Sequence, residues 1–323
     1  MKSLQITAPG RCTLLDVPVP EPGEGQVLMR VEAVSTCVQW DLHCWHNEPM
    51  FVGHQFFYPY TPGRCGHEAV GWIERLGPGV SGLSPGDRVS AWRDQAEKIP
   101  GAYAQYYLIP AASVIPVPDS LPAQALAPVE MAMCMGTVFR MLHEMNVLAG
   151  KVIGITGLGP AGLIALQMAK AEGAAQVVGF DPLPERRKLA QELGADVCYD
   201  PTLKAGGGAP AMPLNLRVDS AVDCVGAKAT VEFTMDHVND VVALFGVQRE
   251  DYTFAVRHHH VRLCGYKGHF RESAEYAVSL IAQGKLNLAA LISHNLPLER
   301  YPEGIGLLEQ RKAIKICYWP WES

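Results

Sequence analysis

Lys151-Val-Ile-Gly-Ile-Thr156 runs straight into Gly157-Leu-Gly-Pro-Ala-Gly162, a helix-like stretch Leu163-Ile-Ala-Leu-Gln-Met-Ala-Lys-Ala-Glu172, and a second apolar run, Gln176-Val-Val-Gly-Phe180, that ends in Asp181. The order is strand, glycine turn, helix, strand. An acidic residue about 20 positions past the last glycine completes a dinucleotide-binding βαβ fingerprint. Gly157 allows the tight turn, Gly159 lets backbone approach a pyrophosphate, and Gly162 lets helix and strand pack closely. The helix N-terminus behind Leu158, Pro160 and Ala161 offers free N–H groups to the anion. Asp181 accepts hydrogen bonds from a ribose 2′-hydroxyl and repels a 2′-phosphate, which favours NAD over NADP; Arg186, beyond it, is placed to lie over the adenine or to pair with a phosphate.

From this unit the rest of the chain falls into order. A length of 323 residues suits two domains rather than one core. Residues 1–121 are punctuated by glycine and proline and carry short runs of β character, such as Gln26-Val-Leu-Met-Arg-Val-Glu-Ala-Val34, which read as an irregular β domain. From Pro122 the pattern becomes helical over Ala123 to Met145. Strands then alternate with helices: Val152–Ile155, Val177–Phe180, Val197–Tyr199 and Ser220–Val225, extended by Val241–Phe245 and Val261–Cys264. A helix over Glu272–Gln283 and a last strand over Ala313–Cys317 follow, and Lys204–Pro210 reads as a mobile loop. His258-His259-His260 sits in an expected strand, whose alternation would keep the three rings from one ion.

The charge balance, 27 basic against 33 acidic side chains with no basic run, argues against a nucleic-acid partner. No run is long and apolar enough to suggest a signal peptide or a membrane partner. Nine scattered cysteines, never spaced C-x-x-C, suit a reducing, cytoplasmic setting.

Chemistry is carried by Cys37, just after the strand ending at Val34, by Gly66-His67-Glu68 at the head of the next β run, and by Glu130 at the start of a helix. Thiolate, imidazole and carboxylate all suit zinc, and three protein ligands with an open position mark a catalytic ion.

The order of motifs resembles the zinc-containing medium-chain dehydrogenase/reductase superfamily, the alcohol and polyol dehydrogenases. It runs Pro18-Val-Pro-Glu-Pro-Gly23, Cys37, Gly66-His67-Glu68, Gly86-Asp87-Arg88-Val89, Glu130, the glycine turn, Asp181, Leu193-Gly194-Ala195-Asp196, Val222-Asp223-Cys224-Val225-Gly226 and Lys312-Ala-Ile-Lys315. The resemblance implies a doubly wound α/β Rossmann domain (residues 122–265) and a GroES-like β domain built from both termini (residues 1–121 and 266–323), with the active site between them. It implies Cys37 and His67 as zinc ligands, Glu130 as the third with Cys134 as the alternative, and Glu68 as a carboxylate beside the metal. The reaction implied is hydride transfer between a secondary alcohol (polyol, sugar or cyclitol) and NAD by a homodimer or homotetramer.

Two departures stand out. Where the polyol branch has glycine, a hydroxyl residue and aspartate after the zinc cysteine, this chain has Val38-Gln39-Trp40-Asp41-Leu42-His43, one residue longer and without the hydroxyl. Gln39 then orients substrate and His43 is the residue suited to carry a proton to solvent. The four-cysteine lobe of many relatives is missing from Ala91-Trp-Arg-Asp-Gln-Ala-Glu-Lys-Ile99, so one metal per chain is expected. The stretch between Cys37 and His67 is long and aromatic, with Trp45, Phe51, Phe56, Phe57, Tyr58 and Tyr60, placed either to line a substrate cleft or to pack. A zinc-free NADPH-dependent quinone or alkene reductase, or a non-catalytic nucleotide-binding relative, are the other readings.

Overall fold

The computed structural model describes residues 1–51, 53–94, 99–203 and 212–322. In chain order the elements are β1 (Lys2–Ala8), β2 (Arg11–Asp16), β3 (Gln26–Ser35), α1 (Val38–His46), β4 (Glu68–Leu76), β5 (Arg88–Ala91), β6 (Tyr106–Pro110), β7 (Val114–Pro116) and α2 (Val129–Glu144). There follow β8 (Val152–Thr156), α3 (Pro160–Ala171), β9 (Gln176–Phe180), α4 (Pro184–Glu192), β10 (Val197–Tyr199), β11 (Val218–Asp223), α5 (Lys228–His237), β12 (Val238–Leu244) and β13 (Arg262–Gly265). The last are α6 (Arg271–Ala282), β14 (Ile292–Pro297), α7 (Tyr301–Glu309) and β15 (Lys315–Trp319).

The chain divides into two compact units, Met1–Met133 with Leu288–Ser323, and Cys134–Asn287. Both boundaries lie later than the expected 121/122 and 265/266. Ser90 Oγ donates to Leu126 O, which keeps the approach to α2 with the first unit. Thr137 Oγ1 donates to Ser273 Oγ and Asn287 N to Gln167 Oε1, which keep α6 and the chain after it with the second.

In the first unit a seven-stranded sheet runs β14-β15-β3-β4-β5-β7, with β6 also on β3, beside a β1-β2 hairpin. Its strands read as they do because apolar residues turn inward: Val27, Met29 and Val31 of β3 join Ile73, Val89, Tyr107 and Ile316 in one buried cluster. Trp45, Phe56 and Tyr60 of the aromatic stretch enter the same cluster, whereas Phe51 and Phe57 are exposed. The stretch therefore packs mainly inward.

The second unit is a six-stranded parallel sheet, β10-β9-β8-β11-β12-β13, the order of a doubly wound fold. Val178, Val222 and Val242 are buried, as two-sided parallel strands require. β12 takes in Val241–Leu244 as an inner strand, with β13 at one edge of the sheet and β10 at the other. The histidine run departs from its expected strand. Val256–His258 is a short 3-10 turn, and its rings take three separate partners: Asp236 Oδ1 for His258, Val256 O for His259 and Val238 O for His260. Local i,i+3 bonding there prevails over β pairing. The stretch 204–210, expected as a loop, lies outside the described residues. Ala123–Glu144 is apolar enough to pass as a membrane span, yet 78% of its most apolar 18-residue window is buried within the fold, as suits a core helix.

Candidate functional site

Three neighbouring strands of the first unit, in the order β15-β3-β4, end together, and their ends hold the chemistry. β3 stops at Ser35, and Cys37 follows as the N-cap of α1. Ser35 pairs in register with Glu68, the first residue of β4, so His67 stands directly before that strand. Glu130 lies in the first turn of α2. The sulfur of Cys37, a ring nitrogen of His67 and a carboxylate oxygen of Glu68 lie within 4.8 Å of one another. Glu130 Oε2 is 3.8 Å from His67 Nε2. Cys37, His67 and Glu68 are thus brought together, and Glu130 reaches His67. Cys134, one turn along α2 from Glu130, has its sulfur 3.6 Å from His269 Nε2.

Each donor is prepared. His67 Nδ1 lies 2.8 Å from Cys65 O, so the ring donates there and turns the lone pair of Nε2 toward Glu130. Cys37 and Glu130 both sit at helix N-termini, where the helix dipole favours negative charge. Burial pushes the Cys37 thiol up, against the opposing pull of His67. Burial also presses the His67 imidazolium down, yet Asp94, Cys37 and Glu130 hold it well above its ordinary value. A divalent cation among these groups reverses that balance by favouring thiolate and neutral imidazole. Two ligands about 2.0–2.1 Å from a tetrahedral ion stand about 3.3 Å apart, so a few tenths of an ångström bring His67 and Glu130 onto one ion.

Glu68 is held differently. Its oxygens lie 2.9 and 2.7 Å from Lys315 Nζ on β15, and Ser35 Oγ donates to Oε2 at 2.8 Å. Burial raises its pKa while Lys315 pulls it down. A second buried carboxylate, Asp41 of α1, accepts from Tyr103 OH and Tyr301 OH, and desolvation outweighs those bonds, raising its pKa to about 6. Sequence reasoning assigned no role to Lys315, Ser35, Asp41 or Asp94. The available signal was a lysine opening an apolar β run, since buried lysines are nearly always paired.

Gln39, in the first turn of α1, is exposed. His43 is buried near the end of α1, its Nδ1 2.9 Å from Glu48 O and its own carbonyl accepting from Asn47 and Glu48.

In the second unit Gly157 has φ of +85°, and a Cβ on Gly162 would meet Gly157 O at 1.9 Å, so both glycines are obligatory. The first helical bond of α3 runs from Leu163 N to Gly159 O, leaving the amides of Ala161 and Gly162 for a ligand beyond Pro160. Asp181 braces the turn: Oδ2 accepts from Leu158 N at 2.8 Å and Oδ1 from Leu183 N at 2.9 Å. Arg186 Nη1 stands 3.7 Å from Asp181 Oδ2 and lies over Gly159.

Two family profiles match. One, described as alcohol dehydrogenase GroES-like domain, covers residues 23–119, and one, described as zinc-binding dehydrogenase, covers residues 160–282. A sorbitol dehydrogenase of Pongo abelii is 29% identical over 97% of this chain and 94% of its own length. An L-threonine 3-dehydrogenase of Pyrococcus horikoshii is 29% identical over 98% of both. Among solved structures, galactitol-1-phosphate dehydrogenase of Escherichia coli superposes with a TM-score of 0.85 over 99% of this chain and 100% of its own, at 21% identity, a likeness of fold. With its GroES-like and dinucleotide-binding units both matched, the chain belongs to the zinc-containing medium-chain dehydrogenase/reductase superfamily.

Proposed function

We propose that this protein oxidises a secondary alcohol of the polyol, sugar or cyclitol class to a ketone, with NAD as hydride acceptor and one zinc ion held by Cys37, His67 and Glu130. The observation that carries the reading is the meeting at His67 of the Cys37 sulfur, within 4.8 Å, and Glu130 Oε2, 3.8 Å from Nε2, with the two acidic donors at helix N-termini. Three donors leave one position for substrate. Zinc bound there supplies the Lewis acidity that lowers the pKa of a substrate hydroxyl. Cys65 O fixes the His67 tautomer, and the exposed amide of Gln39 orients the substrate. His43 passes a proton toward solvent through the exposed carboxylate of Glu48, whose Oε2 lies 3.9 Å from its Nδ1.

In the second unit the amides at the head of α3 take the pyrophosphate, and Arg186 covers the adenine side. Each Asp181 oxygen keeps a lone pair after its backbone bond, enough to accept a ribose hydroxyl, which supports NAD over NADP. The scattered cysteines, never spaced C-x-x-C, suit a cytoplasmic enzyme. For a homodimer or homotetramer, β13 is one of the two edge strands through which sheets could pair.

The test is metal per chain on protein purified without chelator, followed by polyol screening with NAD. About one zinc per chain and polyol-dependent NADH formation are expected. Folded, NAD-binding protein without metal overturns the reading and leaves a zinc-free reductase or a non-catalytic relative.

A further inference from the structure

Cys264 of the edge strand β13 brings its sulfur to Met145, 119 positions earlier and just past the end of α2, with Sγ and Sδ 3.9 Å apart. Met145 N donates to Met141 O, so the two methionines share one helical face at i and i+4. Met141, Met145 and Cys264, all half-buried, line one open pocket of about 440 Å³ in the second unit. The two charged residues of its lining, Glu144 and Lys267, carry opposite signs. None of these groups serves the zinc donors or the glycine turn.

Thiolate and thioether are soft donors, which select a soft ion over zinc, magnesium or calcium. Spacing agrees, because metal–sulfur bonds of about 2.3 Å in a trigonal plane put neighbouring sulfurs about 4.0 Å apart. Charge agrees as well. One thiolate neutralises a monovalent cation and two thioethers add nothing, so the filled site is neutral, whereas a divalent ion would keep a net positive charge in it. The three rotatable bonds of methionine let the third sulfur close on the ion. We propose that Cys264, Met145 and Met141 form a site for a soft monovalent metal ion of the copper(I) class on the dinucleotide-binding unit. Binding takes in one cation and releases the thiol proton to solvent, with no change of oxidation state. The ion then ties the end of α2 to β13.

Anaerobic titration of the full-length protein with copper(I), against a chromogenic copper(I) chelator and with zinc(II) present throughout, reads number and affinity. Wild-type protein is expected to hold one more copper(I) tightly than Cys264→Ser does; copper(I) on any other cysteine is common to both and cancels. Met145→Leu and Met141→Leu keep every thiol and nearly the same volume, so both should fold. Each is expected to weaken that additional ion at least about tenfold, since even groups outside a ligand set are worth that much to a metal. Hydrogen exchange in peptides covering 141–146 and 262–265 should slow when copper(I) is bound. Equal copper(I) uptake by wild type and Cys264→Ser overturns the proposal, as does unchanged exchange in those peptides. So does loss of the ion in Cys264→Ser alone, with both methionine variants binding as the wild type, which would leave an adventitious thiol adduct only.

Discussion

The two units hold their working groups in opposite ways. The second uses consecutive residues: Gly157 to Gly162 and the amides at the head of α3 form one short turn, braced by Asp181. The first gathers side chains from β3, β4, α1, α2 and β15, with Lys315 and Glu68 separated by 247 positions. A backbone site survives most side-chain changes, because the donors belong to every residue alike. A side-chain site fails with any one donor, and its accuracy depends on the strands that carry it.

Cys37→Ala or His67→Ala should break the contrast most sharply. Turnover is expected to fall at least about 10³-fold, since a Lewis acid is worth several kcal/mol, while NAD affinity stays within a few-fold. Steady-state assays with NAD titration check this; turnover near the wild-type rate in either variant rules out the zinc mechanism.

Next in size is the pH response of Asp41, whose pKa of about 6 compares with 3.8 for an ordinary aspartate. A folded-state pKa above the unfolded one gives stability that is complete below about pH 4 and lost as pH rises through 6. The loss is about 3 kcal/mol. Denaturant titrations from pH 4 to 7 should show the decline, and Asp41→Asn should flatten it. Hydrogen exchange should place the change in peptides of the first unit; an equal change in peptides of β8–β13 would refute the assignment.

The smallest expected effect is on cofactor choice. Asp181→Ala should lower the NAD to NADP preference about tenfold, the worth of one hydrogen bond to a charged group. A kcat/KM ratio that does not move would mean that Asp181 serves the Leu158 and Leu183 amides alone.

The second unit was legible almost strand for strand, because its pattern is local: β8, β9 and β10 lie where the apolar runs of the sequence put them. The sheet order was not, since it depends on crossovers: β12, which carries Val241–Leu244, is flanked by β11 and β13. His258 defeated the strand reading because its bond to Asp236, 22 positions away, is a tertiary fact. In the first unit the residue types of Cys37, His67 and Glu130 were readable, but the holding of Glu68 was not. Nothing within ten residues of Glu68 announces Lys315, and only the pairing of β15 with β3 brings them together.

The first unit is also discontinuous: Leu288–Ser323 rejoins it only after the whole of Cys134–Asn287. A ribosome delivers chain from the amino end and domains fold as they emerge. Cys37, His67, Glu68 and Glu130 therefore leave the exit tunnel well ahead of Lys315, and for that interval Glu68 has no ammonium beside it. β15, made last, therefore supplies the counter-charge of the cluster, and the interior of the first unit is electrically complete only once the whole chain has been synthesised.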